Sequence, residues 1–210
     1  MDDWFLKFDE VILGWFLGVL STPLVMYFTA IVERRRFENV LKEELREVRF
    51  RLAASIYSLR NHLGQMDRPA LEWIAVELNA YPAEPVRDRL LAGIHQMLQL
   101  NDAQLTALAA RPRNPLGTKA VPKVAIPYLS AKVESIGLLC SSRQKELVNL
   151  LHYVEVINIK VEELADWNRM TFEVTNDENH ALISGNADVS IQAIITAAER
   201  ASACIKNYLS

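Results

Sequence analysis

The sequence predicts an all-α protein: a single N-terminal transmembrane helix followed by a cytoplasmic antiparallel helical bundle, interrupted by a proline-rich basic loop. Three observations carry this. Residues 11–32, VILGWFLGVLSTPLVMYFTAIV, hold no charged side chain. Beyond them, apolar residues recur every three or four positions through most of the chain, the spacing of helices with one buried face. Only 7 glycines occur in 210 residues, too few for the tight turns of an all-β protein.

Composition narrows the class further. A chain with 50% hydrophobic and 23% charged residues has enough apolar surface to fold, which excludes a disordered protein. A net charge of -3 argues against a protein built to coat nucleic acid. Cys140 and Cys204 show no CxxC or metal-ligand spacing and fall in helical patterns, so both read as buried, reduced thiols.

The uncharged stretch comes first. At about 1.5 Å per residue it is roughly 33 Å long, enough for a hydrocarbon core of roughly 30 Å. It lacks the polar stripe that a soluble amphipathic helix would show. A cleaved leader would begin with basic residues, whereas this chain begins with Asp2, Asp3, Asp9 and Glu10 against Lys7. Glu33 and then Arg34, Arg35 and Arg36 follow the span. Basic flanks are retained in the cytoplasm, so residues 1–10 are expected outside the cell (inner or plasma) membrane and residues 33–210 inside. Within the span Gly14, Gly18 and Thr22 recur every fourth residue, a candidate face for close association of helices in lipid. Pro23 removes one ladder hydrogen bond and predicts a kink near residues 19–23.

Residues 33–66 are expected to form a stalk or first bundle helix. Leu41, Leu45, Val48, Leu52, Ile56, Leu59 and Leu63 follow an eleven-residue rather than a heptad pattern. That period gives a straight seam, suited either to an oligomerising, coiled-coil-like stalk or to packing on the chain's own domain. The second is the simpler reading for a chain of this size. Gly64, Gln65 and Met66 end the helix, and Asp67 followed by Pro69 starts the next. The remaining domain, 67–210, is expected to contain helices to about Tyr81, over 86–100, over 103–110 and over 128–140. A long helix over 143–175 and a last helix over 188–209 follow, paired antiparallel across a polar turn at 176–186. The long helix is marked by Leu147, Leu151, Val154, Val161, Leu164 and Phe172. Asn158 sits where that stripe expects an apolar residue. Facing the core it needs a polar partner, and Asn158→Leu is expected to stabilise the fold while loosening its specificity.

Residues 111–127, RPRNPLGTKAVPKVAIP, read as a loop because four prolines bar a helix interior. Lys119–Ile126 is the one strand candidate, broken by Pro122. Residues 103–133 contain five bases and no acid. Arg111, Arg113, Lys119 and Lys123 are the candidate contacts to an anion or to lipid headgroups. No aromatic residues interleave with them, so nucleic acid is not the expected partner.

No HExxH, Glu-x-x-His, GxxxxGK[ST], GxGxxG or GxSxG motif occurs, and the four histidines are scattered. No catalytic residue, metal site or cofactor is expected. The expected function is therefore a non-enzymatic, membrane-anchored helical scaffold that self-associates or recruits a protein partner. Two alternatives stand beside it. One is a membrane effector of defence or stress type, whose cytoplasmic domain senses a ligand and alters membrane integrity. The other is a helical enzyme with a dispersed active site.

Overall fold

The computed structural model describes the backbone of residues 2–110, 121–172 and 176–210, and the side chains of those residues except 2–14, 17 and 177. It is all-helical, with no strand among the described residues. The candidate strand at 119–126 has no regular secondary structure over 121–126, and its first two residues lie outside the described ones. The chain divides into two compact units, Met1–Leu41 and Lys42–Ser210.

The first unit is the leading part of helix α1, which as an element runs Asp2–Leu63. Assigned helix continues through Pro23. The hydroxyls of this unit turn inward on their own helix: Ser21 donates to the Gly18 carbonyl at 2.9 Å and Thr29 to the Val25 carbonyl at 2.8 Å. Residues 18–30 are all exposed, although most are large and apolar.

The second unit opens with the rest of α1. Leu45, Val48, Leu52, Ile56 and Leu59 are buried there, and Leu63 is half-buried. The helix ends as Gly64 predicts. Gly64 takes φ 68°, a left-handed conformation costly for a side-chain-bearing residue. Its amide donates to Asn61 at 3.3 Å and that of Gln65 to Arg60 at 2.9 Å, closing the open carbonyls of the last turn.

Helix α2, Arg68–Asn79, starts on the Asp67 carboxylate, which accepts from the Ala70 amide at 2.9 Å. Helix α3, Pro85–Leu98, packs against α2. Arg68 fastens the two, donating to the carbonyls of Leu98 at 2.9 Å and Leu100 at 2.7 Å beyond the end of α3. Helix α4, Asp102–Ala109, starts at a reciprocal cap between Asn101 and Gln104.

The expected helix over 128–140 is split into α5, Pro127–Ala131, and a 3-10 helix, Val133–Leu138. Lys132 leaves the helical region at φ -124° and ψ 31°. The β-branched Val133 and Ile136, with Ser135 and Gly137, give little local drive to restore an α-helix.

Helices α6, Ser141–Met170, and α7, Asp177–Leu209, share the most extensive interface of the unit. They run antiparallel. The Arg143 guanidinium near the start of α6 lies 5.5 Å from the Tyr208 ring near the end of α7, and Arg200 lies 6.0 Å from Tyr153. Helix α7 begins at Asp177 rather than 188, because the Asn176 side chain accepts from the Asn179 amide at 2.8 Å and caps it there. The polar run at 176–186 is thus a cap and nearly three turns of helix, mostly exposed apart from Ile183, not a loop. On α6 the buried positions are Leu147, Leu150, Val154, Ile157, Val161 and Leu164. Leu151 is only half-buried and Phe172 lies 78% exposed beyond the helix end.

One helix among the described residues is long and apolar enough to cross a membrane, and it is α7 over Glu178–Leu209, not the expected segment at 11–32. Residues 11–14 and 17 of that segment lie outside those described with side chains. The apolar character of α7 has a different cause. Ile191, Ile194, Ile195 and Ile205 are buried within the unit, and its polar groups are bonded across it: Arg60 donates to Glu199 at 2.6 Å, and Ser202 donates to Glu77. Leaving this setting for lipid would strip both bonds, which marks α7 as a core helix.

Candidate functional site

Three arrangements in the second unit carry chemistry or an accessible surface. The first joins three helices. Arg49 of α1 donates Nε to Glu77 Oε2 at 2.6 Å and Nη2 to Glu77 Oε1 at 2.9 Å, a two-point clasp. Ser202 of α7 donates to the same Oε2. Arg49, Glu77 and Ser202 are 9%, 3% and 1% exposed, so the pair is shut from water. Burial pushes the Glu77 carboxyl upward. The bonds from Arg49 and Ser202, together with the nearby charges of Arg49 and Lys206, outweigh it and hold the pKa below its ordinary value. This is a structural clasp, in which the guanidinium and carboxylate satisfy each other.

The second arrangement answers the Asn158 question. Asn158 Oδ1 accepts from the Val124 amide at 2.8 Å, and its Nδ2 donates to the Val124 carbonyl at 2.9 Å. The side chain acts as one rung of backbone, clipping the extended segment 121–126 onto α6. Nearby, the Glu44 carboxylate accepts from the amides of Tyr128 at 2.7 Å and Leu129 at 2.9 Å, covering the open first turn of α5. Asn158 therefore has its polar partner in the backbone, and the expected stabilisation by leucine does not follow. Asn158→Leu orphans both groups of Val124 and should cost about 1–3 kcal/mol. Equilibrium denaturation, together with faster exchange of the Val124 amide, checks this; a gain in stability would refute it.

The third is a groove of about 440 Å³ between α6 and α7, lined chiefly by Tyr153, Val156, Val189, Ala193, Ala197 and Arg200. No acidic side chain lines it.

The residues singled out from sequence are placed as follows. Arg111, Arg113 and Lys119 lie outside the described residues. Lys123 is exposed and pairs with Glu162 on α6. Gly14 lies outside the residues described with side chains, while Gly18 and Thr22 are exposed, and a Cβ at Gly18 would meet nothing within 4 Å. Arg34 pairs with Glu38 at 2.9 Å, and Arg35 and Arg36 are exposed. Cys204 is buried, as expected; burial first and the Glu146 carboxylate second push its thiol to about 11. Cys140 is exposed, contrary to expectation, because it precedes α6 rather than lying within a helix. Its hydrogen bond with Ser142 at 3.4 Å draws the thiol below its ordinary value.

Sequence reasoning missed Arg49, Glu77 and Glu44. Ser202 is a buried hydroxyl on α7, a group that requires a polar partner. Glu77 sits beside Ile74 and Leu78 on the buried side of α2, where an acid needs a counter-charge. Among the described residues no group of three His, Cys, Asp or Glu side chains could hold a metal ion. No protein-family model, curated protein or solved structure matches the chain.

Proposed function

We propose that this protein is a single-pass, membrane-anchored helical module without enzymatic activity, whose second unit is a cytoplasmic bundle that recruits a protein partner. One observation carries the anchor: the apolar side chains around residues 15–32 point outward on every side of the helix. Trp15, Phe16, Leu20, Leu24, Val25, Met26 and Phe28 are each 44–68% exposed, and at helical spacing they are spread around the whole circumference. A soluble helix does not leave such a surface in water, whereas lipid rewards it. The inward hydroxyl bonds of Ser21 and Thr29 suit the same environment, since lipid offers them no other acceptor. The orientation rests on Arg34–Arg36, and self-association through Gly14, Gly18 and Thr22 is part of the proposal.

The test is carbonate extraction of membranes from cells expressing the full chain, with a reporter after Ser210. The expected result is a chain that resists extraction, with the reporter active in the cytoplasm. Leu20→Arg with Leu24→Arg places two cations near the centre of the span, at about 2.5–3.5 kcal/mol each, and should release the protein. A double variant that stays integrated would move the span elsewhere, α7 being the first place to look. Extraction of the unmodified chain would end the anchor reading.

A further inference from the structure

We infer that the α6–α7 groove docks an amphipathic helix of another protein, one carrying a carboxylate beside its apolar stripe. The inference deepens the partner-recruiting reading and rests on it. The groove has the depth such a helix needs because α7 presents small residues there. Ala193 and Ala197 form the floor with Val156 of α6, while Val189, 69% exposed, stands at the rim. Val148, one helical turn before His152 on α6, adds apolar surface at 57% exposure. Large aliphatic groups held open to water along two packed helices are the pattern of a surface awaiting an apolar stripe at helical spacing.

Charge names the occupant. The groove's only full cation is Arg200, with His152 across from it on α6 and no acid in the lining. Arg200 rests against the Tyr153 ring at 6.0 Å, and no carboxylate among the described residues pairs with it. Several other arginines of the unit do take carboxylates: Arg49 holds Glu77, Arg60 holds Glu199 and Arg87 holds Asp88. Arg200 is thus held at the groove edge with its fork available, where an incoming carboxylate gains a charge-assisted pair on a face partly shielded by the ring. A lipid surface fits less well, because it calls for several bases and the lining offers one.

The test uses the full chain in phosphatidylcholine nanodiscs and two fluorescent helical peptides of roughly sixteen residues. Both carry leucine at helical i, i+3, i+4, i+7 spacing, and they differ in one flanking residue, Glu or Lys. The Glu peptide should bind roughly tenfold more tightly than the Lys peptide, and Arg200→Glu should reverse the order. Ala193→Leu, which fills the floor, should abolish binding of both while leaving the helical signal and thermal midpoint unchanged. Equal binding of the two peptides, or an order unmoved by Arg200→Glu, overturns the proposal. So does a second copy as the occupant, seen as disulfide-linked dimers of a Val189→Cys, Cys140→Ser chain that exclude the peptide. Loss of peptide binding on adding phosphatidylserine, unchanged by Arg200→Glu, would assign the surface to lipid and overturn it as well. Failure of the anchor reading is distinguishable, because it shows in carbonate extraction of the unmodified chain, while peptide binding can be read in nanodiscs or detergent alike.

Discussion

Glu77→Ala should destabilise the second unit by about 3–5 kcal/mol, a large share of the roughly 5–15 kcal/mol that holds a domain folded. The cost comes from what is left behind. Arg49 is 9% exposed and both its bonded nitrogens point at Glu77, so the substitution strands a guanidinium away from water. Ser202 loses its acceptor in the same step. The paired change Arg49→Met with Glu77→Leu removes both charges and should recover most of that loss, because the desolvation cost of the pair disappears with its attraction and only the lost acceptor of Ser202 remains. Chemical denaturation of the full chain in detergent, comparing the single and double variants, separates the two. A single variant as stable as the parent would show that water reaches Arg49 after all.

The same clasp fixes a pH dependence. The folded-state pKa of Glu77 lies below its ordinary value of 4.5. A group with a depressed folded pKa contributes stability that is fully present above the unfolded value and is lost as pH falls through the folded one. The contribution is therefore complete at neutral pH and fades below about pH 4.5. A Glu77→Gln chain should show a flatter stability profile across that acid range, and parallel profiles would remove Glu77 from the account.

Helix boundaries were legible wherever a capping side chain declares itself. Gly64 and Asp67 with Pro69 mark ends that the structure places within a residue or two. Asn176 is a cap of the same kind, but it opens a run of polar residues, and polarity alone reads as a turn. The helix is polar there because much of its first three turns faces solvent, with Ile183 the buried exception. The clasp was not legible, since Arg49 and Glu77 are 28 residues apart on separate helices and only packing brings them together. The groove was hidden for a similar reason: its floor is made of alanines, which announce nothing in a sequence.

Most of the expected α6 stripe, Leu147, Val154, Val161 and Leu164, is buried, but Leu151 was misplaced for a more instructive reason, and it supports the last prediction. Leu151 and Asn158 lie along one side of α6, where Val124, Ile126 and Pro127 meet it. Leu150 and Ile157 are each 1% exposed. A helix covered by a neighbouring helix and by an extended segment buries a broad arc rather than a narrow stripe. Residues one position apart then both carry apolar side chains, and spacing alone cannot rank them. Burial ranks them. Leu150→Ala should cost about 2–5 kcal/mol, with the cavity adding to the lost transfer energy, whereas half-buried Leu151→Ala should cost less than about 2 kcal/mol. Ile195→Ala on α7, at 0% exposure, belongs with Leu150. Denaturation midpoints of the three variants at an unchanged slope decide the order. Equal losses at 150 and 151 would mean that the 121–126 segment seals its side of α6 as tightly as a helix would. A larger loss at 151 would restore Leu151 to the stripe as spacing suggests and place Leu150 on the outer edge of the core.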